Sequence, residues 1–172
     1  MHIKKIKQKS NLLWEVQALA SEILIIAVGI LLIYSFLFGW CRIPDNSMYP
    51  AAKDGDLVVF YRLDKDYEAR DLIVLEVDGA KEVRRVVAVA GDKVDFENGM
   101  LVINGIPRRE PGIYEKSEQF LKGIEFPIQV PEGKVFVLGD ARENSKDSRI
   151  YGTVDIKNTY GTVIMIVRRR EF

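Results

Sequence analysis

The stretch ILIIAVGILLIYSFLFGWC, residues 23–41, divides the chain into two parts of different character. Its nineteen residues carry no charge, and extension back to Ala18 adds only Glu22 as a charged position. About 20 apolar residues suffice to cross a bilayer. Tyr34 and Trp40 lie toward the far end, where interfacial aromatic side chains are common. The pattern predicts a transmembrane anchor over residues 18–41.

The charges around this stretch predict its orientation. A basic N-terminus precedes it, with four lysines at Lys4, Lys5, Lys7 and Lys9. Because basic flanks stay in the cytoplasm, we expect residues 1–17 to be cytoplasmic and residues 42–172 to form an extracytoplasmic domain. The protein is then a single-pass protein of the cell membrane, with the lipid bilayer as one partner.

Three other interpretations of the apolar stretch fit its sequence less well. A cleaved signal peptide has a shorter apolar core and a small-x-small exit, whereas this stretch ends in FGWCR. A lipoprotein signal places a small residue before its cysteine, and Trp40 is too bulky for that position. A buried helix of a soluble protein remains open, but nineteen uncharged residues behind four lysines favour a retained anchor.

The chain after residue 42 has the pattern of an antiparallel β protein. Short stretches rich in valine and isoleucine are separated by turns, at residues 56–63, 71–77, 83–90, 101–103, 134–140 and 161–167. Asn98-Gly99 and Asn104-Gly105 flank MLVI, and Asn-Gly is a strong hairpin signal. Residues 107–131 contain four prolines and little periodicity, which indicates an excursion from the main sheet. We therefore expect an all-β domain behind one transmembrane helix.

Composition excludes several kinds of site. Acidic and basic residues balance at 25 each, so no global charge favours a nucleic-acid partner. Cys41 is the single cysteine and His2 the single histidine. No Ser-His-Asp triad is possible with a histidine at the extreme N-terminus, and a zinc site or other metal or cofactor is not expected. A hydrolase built on this chain would therefore work without histidine and without metal.

Three motifs follow the anchor in order. They are SMYP at residues 47–50 with KDGD at 53–56, RRVVAVAGD at 84–92, and GDARENSKDSR at 139–149. Each alone is compatible with an ordinary strand entry, a strand running into a turn, or a polar surface loop. Together, and behind one anchor, they resemble the type I signal peptidases of bacteria, in particular those of Gram-positive organisms. The resemblance covers nearly the whole chain.

The resemblance implies a membrane-bound serine endopeptidase with a Ser-Lys dyad, acting on secretory preproteins with small side chains at the first and third positions before the cut. Ser47 matches the nucleophile, and Ser145 matches the hydroxyl that orients the lysine. Asp147 and Arg149 match an ion pair that braces the loop. Met48 is expected to pack beneath the nucleophile and the substrate. A neutral lysine can take the serine proton only if its pKa falls from about 10.4 toward the working pH.

Two positions depart from this pattern. Arg84 stands where the family has its general-base lysine, and arginine keeps its proton because its pKa stays above about 12. Asp45 lies two residues before Ser47, on the side of the oxyanion, where a carboxylate opposes the developing negative charge. An ion pair between Asp45 and Arg84 is one possibility, and a solvent-facing Asp45 is the other. Lys81 is at an odd offset from Arg84 and is expected on the opposite face of the strand.

Two functions therefore remain open from the sequence. One is a working signal peptidase with unusual chemistry. The other is a signal-peptidase-like binding or assembly factor that holds a secretory or pilin-like peptide without cutting it, as degenerate Gram-positive members linked to surface pili do. A soluble, self-cleaving repressor-type Ser-Lys protein is disfavoured by the anchor.

Overall fold

The computed structural model describes residues 2–169, with side chains from residue 12 onward. The N-terminal lysines therefore lie outside the described side chains. Helix α1 spans His2–Leu37, and its segment Leu12–Leu37 is long and apolar enough to cross a membrane, with a mean hydropathy of 2.4. The described residues from Phe38 onward form a second compact unit.

The uncharged stretch belongs to two different elements, and the helix ends four residues before the expected anchor boundary at residue 41. The helix ends at Leu37, and Phe38–Arg42 forms the first strand, β1. This strand pairs antiparallel with the next one, and Gly39 lies opposite Phe60. A β-carbon at Gly39 would collide with the Phe60 ring, so glycine permits this close strand pairing. Trp40 is 72% exposed, whereas Cys41 is buried.

The domain consists of two antiparallel sheets and little helix. Besides β1, the strands of the larger sheet are β2 (Leu57–Tyr61), β3 (Leu72–Val77), β4 (Ala80–Val89), β9 (Lys134–Leu138), β10 (Val154–Asp155) and β11 (Thr159–Val167). The smaller sheet contains β5 (Lys93–Glu97), β6 (Met100–Ile103), β7 (Ile106–Pro107) and β8 (Ile128–Gln129). The larger sheet has the order β1-β2-β11-β3-β4-β9-β10 and the smaller one the order β7-β6-β5-β8. A four-residue helix α2 (Ser148–Tyr151) and a 3-10 turn (Ile156–Asn158) complete the elements.

The predicted all-β fold is confirmed. Every predicted strand stretch contains a strand, and both Asn-Gly pairs form the turns of hairpins. Asn98 and Asn104 each adopt a positive φ, at 51° and 55°, as tight hairpin turns require. The segment 107–131 is mostly irregular, and only β7 and β8 at its ends join the smaller sheet.

Three clusters of buried apolar side chains hold the sheets together. One lies under β1, β2 and residues 43–52, and includes Met48. A second joins the two sheets through β4, β6 and β9. The third fills the other face of β3, β4 and β9. Strand β4 contributes to all three clusters, through Val83, through Val87 with Ala88, and through Val86.

Candidate active site

Ser47 and Arg84 are in direct contact. Ser47 lies in the turn that follows residue 45 and is 3% exposed, and Arg84 lies in the first half of β4 and is 2% exposed. The Nη1 atom of Arg84 donates a hydrogen bond of 2.9 Å to Ser47 Oγ. The prediction that position 84 faces the serine is therefore consistent with the structure.

The Arg84 guanidinium is fully engaged as a cation. Its Nη2 pairs with Glu82 Oε2 at 2.6 Å, and the same nitrogen donates to the Lys146 carbonyl at 2.8 Å. Its Nε also donates to the Lys146 carbonyl, and Nη1 donates to the Val83 carbonyl. These bonds leave the guanidinium only donor roles. Burial raises the pKa of Glu82, an effect that the neighbouring Arg84 opposes.

Asp45 bonds to the backbone of the serine rather than to Arg84. Its Oδ1 accepts a hydrogen bond of 2.9 Å from the Ser47 amide. The carboxylate partner of Arg84 is Glu82, so the suggested Asp45–Arg84 ion pair is not formed. The geometry has a simple cause: an Asx-type turn brings the Asp45 side chain onto the amide two residues later. Asp45 itself is exposed.

The loop 139–149 supplies the floor of this site. The Ala141 amide donates to the Ser47 carbonyl at 3.0 Å, which joins the two segments. A β-carbon at Gly139 would lie 2.7 Å from the Ser47 carbonyl oxygen and would overlap Ser145. Glycine is therefore required where the two serine-bearing segments approach each other. The Ser145 hydroxyl is buried and has no hydrogen-bond partner among the described residues.

A buried ion pair braces this loop, as expected for Asp147 and Arg149. Arg149 donates from Nε and Nη2 to the two carboxylate oxygens of Asp147, at 2.9 and 2.8 Å. Asp147 also accepts from the Gly139 amide and caps α2 at the Arg149 amide. Arg149 further donates to the Arg142 carbonyl at 2.6 Å. Both charged groups of the pair therefore make hydrogen bonds beyond the pair itself, which a buried ion pair needs if it is to stabilise the fold.

Lysines near this site are held in other places. Lys81 lies over the rings of Tyr160 and Phe60, at 4.6 and 5.9 Å from their centroids, on the opposite face of β4 as predicted. The ammonium of Lys146 pairs with Asp78 at the surface. Lys53 lies 5.7 Å from the ring centroid of Tyr49. None of these contacts brings a lysine nitrogen to Ser47.

Comparison with known proteins decides the family. The profile of the family described as signal peptidase, peptidase S26, matches residues 16–168. The chain belongs to the signal peptidase family. Signal peptidase I of Bacillus amyloliquefaciens is 36% identical over 159 residues, which is 85% of this chain and 80% of that protein. Signal peptidase I S of Bacillus subtilis is 33% identical, over 83% of this chain and 80% of its own length.

Further relatives extend this agreement to the fold. Signal peptidase IB of Staphylococcus aureus is 30% identical over 91% of this chain and 88% of its own length. The crystal structure of a signal peptidase I from Enterococcus faecalis superimposes with a TM-score of 0.52 at 28% identity. It covers 59% of this chain and 99% of its own. The signal-peptidase-like fold expected from the three motifs is thereby confirmed.

Two residues of the site were missed by the sequence reasoning. Glu82 lies outside the three motifs, although its position two residues before Arg84 in a strand places it on the same face. Lys146 lies within the third motif, and its backbone carbonyl accepts two hydrogen bonds from Arg84. The alternation of side chains along the strand could therefore have predicted that Glu82 lies beside Arg84. Nothing in the sequence indicated that a backbone carbonyl would be an acceptor.

Proposed function

We propose that this member of the signal peptidase family holds an extended segment of an exported precursor against Ser47 and cleaves it very slowly or not at all. The observation that carries the proposal is the hydrogen bond from Arg84 Nη1 to Ser47 Oγ, made by a guanidinium that is also paired with Glu82. In this arrangement Ser47 Oγ accepts a hydrogen bond from a cation. Cleavage requires instead a general base at this position, one that accepts the serine proton.

The guanidinium does not relay the serine proton to Glu82. Arginine offers five N–H donors and no acceptor, and it keeps its charge in proteins. If Nη2 gave its proton to Glu82, the lone pair would appear on Nη2, whereas the nitrogen that contacts Ser47 is Nη1. Nη1 would still carry two hydrogens and would not accept a third. The missing general base is worth roughly a hundred- to ten-thousand-fold in rate.

Asp45 adds a second obstacle to cleavage. In serine peptidases the amide of the nucleophile commonly stabilises the oxyanion of the tetrahedral intermediate. Here the Ser47 amide is bonded to a carboxylate oxygen. An oxyanion would have to displace that carboxylate and would lie close to its negative charge. Loss of one oxyanion donor costs about a hundred- to a thousand-fold in kcat.

The sheet retains an edge on which an extended peptide fits. Strand β4 pairs with β3 through Ala80–Arg85, but β9 joins it only from Arg85 onward. Residues 80–84 therefore have a strand partner on one side only within the described part of the chain. A peptide that adds to this edge forms backbone hydrogen bonds and leads toward Ser47. Secretory preproteins are the expected partners, and pilin-like subunits are the class implied by resemblance to degenerate Gram-positive members.

The test measures binding and cleavage with the same protein. Full-length protein in detergent is mixed with a fluorescent peptide that has alanine at the first and third positions before the cut. We expect saturable binding by wild type and by Ser47→Ala, and no product that depends on Ser47. A matched peptide with bulky residues at both positions should bind at least tenfold more weakly. Cleavage at an ordinary enzymatic rate, lost in Ser47→Ala, would contradict the proposal, and equal binding of both peptides would contradict the groove.

The proposed orientation places residues 43–172 outside the cytoplasm, with α1 as a single-pass anchor. The support is the segment Leu12–Leu37 together with the lysines before it. Protease added to cells without their wall should digest the domain and leave a cytoplasmic marker intact. A domain that resists until the membrane is dissolved would show the opposite orientation.

A further inference from the structure

A cavity that does not include Ser47 is lined by arginines. It has a volume of about 210 Å³ between the turn before β3, strands β4 and β6, and the segment after β7. Its wall has an apolar part formed by Val86, Val87, Leu101 and Ile103. Four arginines belong to the same wall: Arg70, Arg85, Arg108 and Arg109. A cavity of this size suits a small chemical group rather than a large ligand.

The two carboxylates of this cavity have other partners, although Asp92 bonds only to neutral donors and keeps one negative charge beside the cavity. Glu110 accepts two hydrogen bonds of 2.7 Å from the buried Arg142. Asp92 accepts from the Val89 amide and from the Asn104 side chain, within its own turn. Arg85 is paired with Asp140 through two bonds of 2.7 and 2.6 Å.

Three cations are left over once these pairs are assigned. Arg70, Arg108 and Arg109 are exposed and have no ion-pair partner among the described residues. Arg85 also donates a hydrogen bond of 3.0 Å from Nη1 to the Arg70 carbonyl. The cavity therefore combines an apolar wall with an excess of positive charge.

The backbone of Arg70 is strained, and its neighbours hold it in place. Its φ of 91° lies in the region that favours glycine. The Arg70 amide donates to the Val86 carbonyl at 2.8 Å, and its own carbonyl accepts the bond from Arg85. Strained residues that the surrounding structure fixes cluster at binding and catalytic sites. Here the strain fixes a guanidinium beside the cavity at a position where glycine would fit without strain.

We propose that this arginine cavity binds a phosphate group, either free or as part of a lipid headgroup. Arginine forks match phosphate oxygens with two parallel bonds, and several arginines together favour a phosphate, which has more oxygens than a carboxylate. Arg84 and Arg85 are consecutive in β4 and face opposite sides, so the phosphate site is separate from the Ser47 site. The proposal does not depend on whether Ser47 cleaves.

The experiment titrates full-length protein in non-ionic detergent at fixed salt, by calorimetry. The two probes are inorganic phosphate and a short-chain phosphatidylglycerol below its micelle concentration. We expect saturable binding that weakens at least tenfold in Arg70→Gly and in Arg109→Gln. Arg70→Gly relieves the strained φ, so this variant should fold at least as well as wild type in thermal unfolding. Lys122→Gln, an exposed charge outside the cavity, should bind as wild type.

Each outcome has a defined meaning. Tighter binding of the lipid than of inorganic phosphate assigns the site to a headgroup, and equal or tighter binding of inorganic phosphate assigns it to a soluble phosphate. Absence of saturable binding for both probes would overturn the proposal. Equal affinities in wild type, Arg70→Gly and Arg109→Gln would overturn it as well, because any binding would then occur elsewhere.

Discussion

Replacement of Arg84 by lysine together with Glu82 by glutamine is expected to give Ser47 a working base. A lysine at position 84 is titratable, and the buried Ser145 hydroxyl, which lacks a partner among the described residues, is available to orient it. Arg84→Lys alone should recover little, because Glu82 would keep the new ammonium charged. An opposite charge within about 4–6 Å raises the pKa of a lysine by about 1–3 units. The neutral fraction at fixed pH then falls about ten- to a thousand-fold.

The expected magnitudes follow from these two contributions. A competent general base contributes roughly a hundred- to ten-thousand-fold. We therefore expect the double variant to exceed Arg84→Lys by about tenfold or more in kcat/KM. Adding Asp45→Gly frees the Ser47 amide, which now binds that carboxylate at 2.9 Å. This third change should contribute up to about a hundred- to a thousand-fold more.

The assay is cleavage of a fluorogenic preprotein peptide by detergent-purified protein, with Ser47→Ala added to each variant as the blank. Asp66→Gly, which removes another exposed carboxylate, is the matched control for Asp45→Gly and should add nothing. Thermal unfolding verifies that each variant is folded. If Arg84→Lys alone matches the double variant, Glu82 does not control the base. If all three changes together leave cleavage undetected, Arg84 is not the reason for slow chemistry.

Three further predictions concern stability and are read from urea unfolding. Arg149→Met should lower the free energy of unfolding by about 3–5 kcal/mol, because the buried Asp147 carboxylate is left unpaired. The control Lys122→Met should change the free energy of unfolding by less than about 0.5 kcal/mol. Similar values for the two variants would contradict the prediction. Gly39→Ala should destabilise, because the new methyl group meets the Phe60 ring, and an unchanged midpoint would show that the strands can move apart. Glu82 has a pKa raised above 4.5 in the folded state, so the folded protein binds more protons and its stability should fall as pH rises from about 4.5 through the folded pKa. Glu82→Gln should remove that part of the pH dependence, and an unchanged profile would assign it to other groups.

Most of the fold could be predicted from residue patterns, since valine-rich stretches between turns identify strands. Strand β1 could not, because Phe38–Arg42 continues the apolar composition of the helix and differs from it only in its pairing with β2. The short strands β7, β8 and β10 have two residues each and leave no periodic signal. Their existence depends on neighbouring strands that are distant in sequence.

The site could be predicted less completely than the fold. The motifs correctly brought Ser47, Arg84 and the loop 139–149 together. The carboxylate partner of Arg84 could not be decided from the sequence, because two carboxylates compete for it and the outcome depends on local geometry. The Asp45 carboxylate accepts a hydrogen bond from the Ser47 amide, whereas Glu82 lies on the same face of β4 as Arg84 and pairs with it. Such competition is decided by distances that a sequence does not contain.

The Glu82–Arg84 pair also affects how mutation can change this protein. Mutation of Arg84 to lysine would restore the residue type that the family resemblance places at this position. That mutation alone would place a lysine beside the Glu82 carboxylate, which would keep the lysine protonated. Selection for cleavage would therefore gain little from it. Loss of Glu82 first would leave a buried guanidinium without its counter-charge and would weaken the fold. Neither single mutation therefore improves cleavage without a cost. The Glu82–Arg84 pair thus acts as a barrier to the evolution of a lysine base at position 84.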